Sequence, residues 1–279
     1  MATFESLMDL LDLEQIEDDL FRGASPDTDM QRVFGGQVLG QALTAATATV
    51  EADRSVHSLH AYFLLPGDPA APIVYEVDRS RTGRSFSTRR VVARQHGRSI
   101  FVMSASYQIP EAGLDHADAR PDAPDPETLP PIPREPGDDG EDVLWNILYR
   151  RWTAFDIRRV PDTGPERRQV WLRTSAPLPD DPHLHTAVLA YVSDLTLLST
   201  TLIRHKLLPH KEVQIASLDH AIWFHRPARA DEWLLYDQSS PSASGARGLA
   251  TGRLFTREGT LVATVVQEGL LRVAGRPVP

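Results

Sequence analysis

An apolar helical segment followed by several long strands occurs twice along this 279-residue chain. Tyr62-Phe63-Leu64-Leu65-Pro66 recurs as Trp223-Phe224-His225-Arg226-Pro227, 223 − 62 = 161 residues later. Gly97, in the turn RQHGRS, recurs as Gly259 in TREGTL, 259 − 97 = 162 residues later. Each turn precedes a strand-like run, SIFVMSASYQI at 99–109 and TLVATVVQ at 260–267. Two copies at this spacing imply duplicated α+β units, because a solenoid needs more and shorter repeats.

Enrichment in β-branched and aromatic residues between turn signals predicts strands near 56–65, 72–80, 85–96 and 99–109 in the first copy. The second copy is expected to have them near 213–225, 232–240, 246–256 and 260–272. Helices are expected over 36–50 and 186–203, with a short lead-in helix over 4–13. Gly40, Ala42, Ala45, Ala46 and Ala48 give the first long helix small side chains, so a curled sheet can sit close against it. Between the copies, eight of the 22 prolines fall within 110–136, among many acids. Such a stretch holds neither a helix nor a central strand. The expected organisation is therefore an N-terminal unit at 1–109, an extended Pro- and acid-rich linker at 110–142, and a C-terminal unit at 143–279.

Charge and cysteine content narrow the chemistry. Lys and Arg less Asp and Glu is 29 − 38 = −9, a poor balance for binding nucleic acid or an anionic membrane. The absence of cysteine excludes disulfides, thiol nucleophiles and Cys-ligated zinc. It also suits a reducing cytoplasm. No signal-peptide layout opens the chain and no peroxisomal address closes it, so the expected location is cytoplasmic. The most membrane-like window, 186–203, contains six Ser/Thr and Asp194, which points to a buried helix instead of a span.

No phosphate-binding loop, dinucleotide fingerprint, GxSxG elbow or HExxH occurs. His57 and His60 fall on opposite faces of a strand, so no metal site is expected there or at the His183-x-His185 pair. Three residues stand out. Asp194 is the only formal charge in 186–203 and shares a helical stripe with Ala187, Ala190, Tyr191 and Leu198. A carboxylate there must be hydrogen-bonded or become neutral; a satisfied structural Asp, or a helix break at a solvent edge, also accounts for it. Ser217 precedes Leu218-Asp219-His220 on an expected strand. Period two places Ser217 and Asp219 on one face and His220 on the other, so a Ser217–His220 dyad is awkward. Gln267 ends an apolar run, as an exposed edge residue or as a buried amide with specific partners.

Longer blocks carry a resemblance. They are VFGGQVLGQAL at 33–43, HSLHAYFLLPGD at 57–68, RSFSTRRV at 84–91, SDL at 193–195, LDHAIWFHRP at 218–227, EWLLY at 232–236, ARG at 246–248 and VQEG at 266–269. Together they resemble the type II acyl-CoA thioesterases, the TesB-like enzymes, over about residues 5–272 and most weakly in 110–165. The resemblance implies a double hotdog, an α+β fold in which each of two fused copies wraps a curved antiparallel sheet around a long helix. It also implies a catalytic set of Asp194, Ser217 and Gln267, with Ser217 and Gln267 at the family's spacing of 267 − 217 = 50 residues. Aligning Phe34 with His185 puts Leu43 opposite Asp194, so one site per chain is expected, with the first copy lining the groove.

The implied reaction is hydrolysis of fatty acyl-CoA to fatty acid and CoA, without cofactor or metal, by a water that Asp194 activates and Ser217 and Gln267 orient. Ser217 as covalent nucleophile is the rival chemistry, and it lacks a clear His partner. Tyr62, Phe63 and Trp223 are candidates for the acyl slot. Arg84, Arg89, Arg90 and Arg247 are candidates for the CoA phosphates, although adjacent Arg89 and Arg90 cannot both face one groove. A homo-oligomer is expected. The alternatives are a non-catalytic acyl-CoA-binding protein and a hotdog enoyl-CoA hydratase. The hydratase needs a His five residues after its Asp, where this chain has Ser199.

Overall fold

The computed structural model describes residues 3–132, 152–207 and 212–273, apart from Asp27, Asp29, Asp162 and Pro165. The chain opens with α1 (Phe4–Leu11), β1 (Glu14–Glu17) and β2 (Leu20–Gly23). The first long helix, α2 (Gly35–Thr47), leads into β3 (Ser55–Phe63), β4 (Ile73–Thr82), β5 (Phe86–Gln95) and β6 (Arg98–Gln108). In the second copy, β7 (Phe155–Arg159) and β8 (Arg167–Thr174) precede α3 (Pro182–Ser193). A 3-10 helix (Leu198–His205) follows, then β9 (Val213–Ser217), β10 (Asp219–Phe224), β11 (Leu234–Ser244), β12 (Arg247–Thr256) and β13 (Leu261–Val273).

All the strands form one antiparallel sheet ordered β1-β2-β4-β5-β6-β3-β10-β13-β12-β11-β8-β7, with β9 also pairing β13. The copies join where β3 pairs with β10, through Asp219↔Tyr62, Ala221↔His60 and Trp223↔Ser58. The repeated motif of the sequence is therefore the seam: its two versions lie side by side. This is the double hotdog, with α2 and α3 enclosed by the sheet. Nearly every side of α2 is buried, which its small residues permit. A Cβ on Gly36 would stand 2.2 Å from the Tyr191 carbonyl oxygen, and one on Gly40 3.3 Å from that of Ala187. Glycine at these two positions lets α2 and α3 touch backbone to backbone.

Two expectations need correction. The helix expected over 186–203 ends at Ser193, with Asp194 as its C-cap. The Ser/Thr residues that made the window unlike a membrane span also break it, because their hydroxyls compete for main-chain carbonyls. Ser193 Oγ donates to Ala190 O (2.8 Å), and Ser199 Oγ to Thr196 O (2.8 Å). Pro182–His205 as a whole has the length and apolarity of a span, yet most of it is buried in the core. The strand expected over 213–225 is likewise two strands, interrupted at Leu218. Ser217 pairs with Gly269 and Ala221 with Val266, so the register shifts between them. Such a bulge re-aims side chains.

Strands β1, β2, β7 and β8 were not expected. In β8, Arg168 and Gln169 are buried beside Val170, Trp171 and Leu172, so polarity does not alternate along the strand. Arg168 donates from Nη1 to Ser199 Oγ at 2.6 Å, and Gln169 Nε2 donates to Asp237 Oδ1 at 3.2 Å. The described part of the 110–142 segment, up to Ile132, is extended except for one 3-10 turn at Pro126–Thr128. It is strapped across the second copy. Arg226 pairs with Asp115, Arg253 with Asp118 (3.0 Å) and Arg257 with Asp125, and Trp171 Nε1 donates to Pro124 O (2.9 Å). Residues 133–142 lie outside the described residues.

Candidate active site

Four elements meet at the Asp194 carboxylate. Asp194 closes α3, Ser217 ends β9, Gln267 lies on β13, and Gly35 and Gly36 begin α2. Gln267 Nε2 donates to Asp194 Oδ1 (2.5 Å) and to Ser217 Oγ (3.0 Å). The Ser217 hydroxyl and the Gly36 N–H also hydrogen-bond the carboxylate. The structure thus brings together the three residues singled out from the sequence, and adds a main-chain donor from the other copy. The two donors of the Gln267 amide fix its orientation, since a flip would turn its oxygen against a carboxylate. Its Oε1 is then buried without a partner.

The Asp194 side chain is 5% exposed. Burial pushes its pKa up, and the bonds from Gln267, Gly36 and Ser217 oppose that rise. Its position at the C-terminal end of α3 also disfavours negative charge, whereas the N-terminal end of α2 favours it. The result is a carboxyl held above its ordinary range. Space around it is tight. A Cβ on Gly35 would stand 2.7 Å from Asp194 Oδ2 and 3.0 Å from the Phe63 ring. Phe63 therefore borders the site, and Phe34 packs edge-on against Trp152 and Tyr191 behind it (centroids 5.2 Å).

His220 also reaches this carboxylate. Its ring is fully buried, with Nδ1 3.9 Å from Asp194 Oδ1 and Nε2 2.9 Å from Ser193 Oγ. The opposite-face reading of Ser217 and His220 assumed an unbroken strand. The interruption at Leu218 brings both side chains to Asp194, while Asp219 accepts the Glu268 N–H (2.6 Å).

The remaining candidates are spread apart. Tyr62 is 60% and Trp223 37% exposed, and Trp223 packs edge-on with the exposed ring of His60 on the outer sheet face (5.0 Å). Neither lies against Asp194, so the aromatic beside the site is Phe63. Arg89 is buried near the end of α2, donating to Thr49 Oγ1 (2.9 Å), Thr49 O (3.0 Å) and Arg81 O (2.7 Å). That is a structural role, and it removes Arg89 from the phosphate candidates. Arg84 and Arg90 are exposed. Arg247 pairs with Glu268 (3.0 Å), the neighbour of Gln267. His57 bonds Ser106 (2.8 Å), and His185 Nδ1 accepts the Ala230 N–H (3.0 Å). Among the described residues no group of three or more His, Asp or Glu is placed to hold a metal.

A buried carboxylate with a hydroxyl, an amide and a main-chain donor, at the seam of a double hotdog, makes a candidate acid–base site. Comparison with known proteins narrows this. A family model described as "Acyl-CoA thioesterase" matches residues 154–270, and one described as "Acyl-CoA thioesterase N-terminal domain" matches 24–108. "Acyl-CoA thioesterase 2" of Haemophilus influenzae is 39% identical, covering 96% of this chain and 97% of the relative. Human "Acyl-coenzyme A thioesterase 8" is 39% identical, over 95% of this chain and 88% of the relative. The crystal structure of "an Acyl-CoA thioesterase II TesB2 from Mycobacterium marinum" superposes with a TM-score of 0.84 at 47% identity, over 96% of this chain and 99% of that one. The chain belongs to the acyl-CoA thioesterase family.

Gly35, Gly36 and His220 were not singled out as site residues from the sequence. The glycine pair just ahead of an apolar helix was the available signal, since it marks a helix start where backbone must come close to something.

Proposed function

We propose that this chain hydrolyses fatty acyl-CoA thioesters to free fatty acid and CoA, with Asp194, Ser217 and Gln267 as the catalytic set. The observation that carries the reading is the Asp194 carboxylate itself. It is buried, its pKa is raised, and Gln267, Ser217 and the Gly36 N–H hold it in place. A raised carboxyl is a stronger base, suited to taking a proton from water. The water gives one proton to Asp194 and points the other at the unpartnered Gln267 Oε1. Its lone pair then faces the thioester carbonyl, a gain in orientation. In the first turn of α2 the Gly36 N–H bonds Asp194 and those of Gln37 and Val38 turn to Phe34 O, so the Gly35 N–H is the candidate donor for the developing oxyanion. When the C–S bond breaks, the departing thiolate takes the proton from Asp194, and the carboxylate is restored. No cofactor enters these steps.

The acyl chain is proposed to start against Phe63, and exposed Arg84, Arg90 and Arg247 remain the candidates for CoA phosphates. We assign 1–109, 110–142 and 143–279 as the two units and their linker. The cysteine-free composition supports a reducing, cytoplasmic setting. Exposed Tyr62 and Trp223 on the outer sheet face support self-association. The test of function is release of CoA thiol from acyl-CoAs of C2 to C20 by the parent and by Asp194→Asn. Thiol release by the parent with a loss of about 10²–10⁴ in the folded variant is expected. A parent that releases no thiol from any of them, or a folded Asp194→Asn at the parent rate, would sink the assignment.

A further inference from the structure

His220 contributes to none of the steps above, yet it is fully buried with its ring against the Asp194 carboxylate. Its protonation follows from its partners. Ser193 has one hydroxyl proton, and that proton is directed at Ala190 O (2.8 Å). Ala190 O has need of it, because the Asp194 N–H that would continue the helix turns to Val192 O instead. Ser193 Oγ must then accept from His220 Nε2–H (2.9 Å). A neutral ring protonated at Nε2 leaves Nδ1 as a bare lone pair, and Nδ1 is buried without a partner. It stands 3.9 Å from Asp194 Oδ1, too far for a hydrogen bond. Two acceptors thus face each other at 3.9 Å.

We propose that His220 is a positioning residue that makes Asp194 basic: its Nδ1 lone pair repels the carboxylate and accepts a hydrogen bond from the protonated carboxyl. When water gives its proton to Asp194, the new O–H turns to Nδ1, and a closure of about 1 Å makes the bond. When the C–S bond breaks, that proton passes to the thiolate, and the repulsive arrangement returns. His220 stays neutral throughout, since burial pushes its pKa down to about 3. The other groups facing Asp194 cannot substitute. Gln267 from β13, Ser217 from β9 and Gly36 from α2 all hydrogen-bond the charged form. Tyr191 of α3 and Tyr236 of β11 are neutral, their phenols pushed up by burial and by the carboxylate's charge. Their hydroxyls are engaged elsewhere, Tyr236 donating to Ser193 O (2.8 Å) and Tyr191 accepting from Trp152 Nε1 (3.1 Å).

This inference rests on the hydrolytic role of Asp194, and the test separates the two. His220→Gln keeps a donor toward Ser193 and removes the lone pair at Nδ1. Its acid limb in the pH profile of kcat/KM is expected to fall by roughly one unit. The kcat plateau is expected to drop roughly 3- to 10-fold, with KM near the parent value. In the parent, ¹⁵N NMR of the His220 ring should show Nε2–H and an unprotonated Nδ1 across the assayed range. A proton on Nδ1 overturns the proposal even if the variant does not fold. So does an unmoved acid limb in a folded His220→Gln whose Asp194→Asn counterpart is inactive. A folded Asp194→Asn at the parent rate would instead sink the hydrolytic reading itself.

Discussion

Replacing Gly36 with alanine puts a methyl group where α2 and α3 touch. The added carbon would lie 2.2 Å from the Tyr191 carbonyl oxygen and 2.5 Å from the Phe34 ring. Non-bonded contact needs about 3.5 Å, so the helices must part by roughly 1 Å. Tyr191 belongs to the last turn of α3, whose C-cap is Asp194, so the carboxylate moves with it. The Gly36 N–H contact and the 2.5 Å bond from Gln267 then both lengthen. Overpacking of this kind costs about 1–3 kcal/mol, which lowers Tm by roughly 2–10 °C in a domain of this size. Displacing a catalytic group by that distance costs about 10²-fold in rate. Gly40→Ala is the control. Its Cβ meets Leu11 Cδ2 at 3.1 Å and Ala187 O at 3.3 Å, a turn away from the carboxylate, so a few tenths of an ångström relieve it. The assays are thermal unfolding and single-turnover thiol release. A folded Gly36→Ala at the parent rate, or equal rate losses in both variants, would refute the claim that helix contact sets the carboxylate's position.

Ser217→Ala and Gln267→Ala should each slow single-turnover hydrolysis by less than Asp194→Asn does. Their losses should fall short of additive in the double variant, because Gln267 and Ser217 bond each other and the same carboxylate; strict additivity would separate their roles. Ser217→Thr keeps the hydroxyl and should retain most activity, whereas an acyl group trapped on Ser217 by acid quench would replace the held water with covalent catalysis. Because His220 falls from 6.5 to about 3 on folding, the unfolded chain binds more protons within that window. Stability should therefore drop as pH falls from about 6.5 towards 3, by up to about 4 kcal/mol from this group. Asp194, raised above 3.8, acts in the opposite sense, and its penalty grows as pH rises through its folded pKa. Urea midpoints against pH should slope less steeply in His220→Gln than in the parent; parallel slopes would contradict the buried neutral imidazole. A single cut in the 110–142 segment should leave both halves together on size exclusion, held by the β3–β10 ladder and the α2–α3 contact; their separation would count against one continuous sheet.

The sequence disclosed what repeats and what is locally periodic. The seam strands were legible because Tyr62-Phe63 and Trp223-Phe224 occupy equivalent positions, and equivalent strands of fused hotdogs pair at the centre of the sheet. Asp194 drew notice because a lone charge in an apolar window demands partners, whereas Ser217 and Gln267 were picked out as a set with it only through the family resemblance. Which side chains meet was not legible, since it depends on two interruptions of period. One is the end of α3 at Ser193, where a hydroxyl takes the Ala190 carbonyl and stops the helix one residue before the carboxylate. The other is the break at Leu218, which spoils the period-two assignment and brings Ser217 and His220 to the same carboxylate. The break at Leu218 depends on main-chain hydrogen bonds that no side-chain pattern announces: Leu218 N–H donates to Glu268 O (2.9 Å), and Leu218 O accepts from Phe63 N–H (2.9 Å). The second bond crosses the seam, so the first copy helps to set the geometry of a site whose three candidate side chains belong to the second. Gly36 does the same through its N–H, and Gly35 by leaving room for the carboxylate. The first copy, which has Leu43 where an acid would be needed, still shapes the candidate site, through backbone geometry and not through side-chain chemistry.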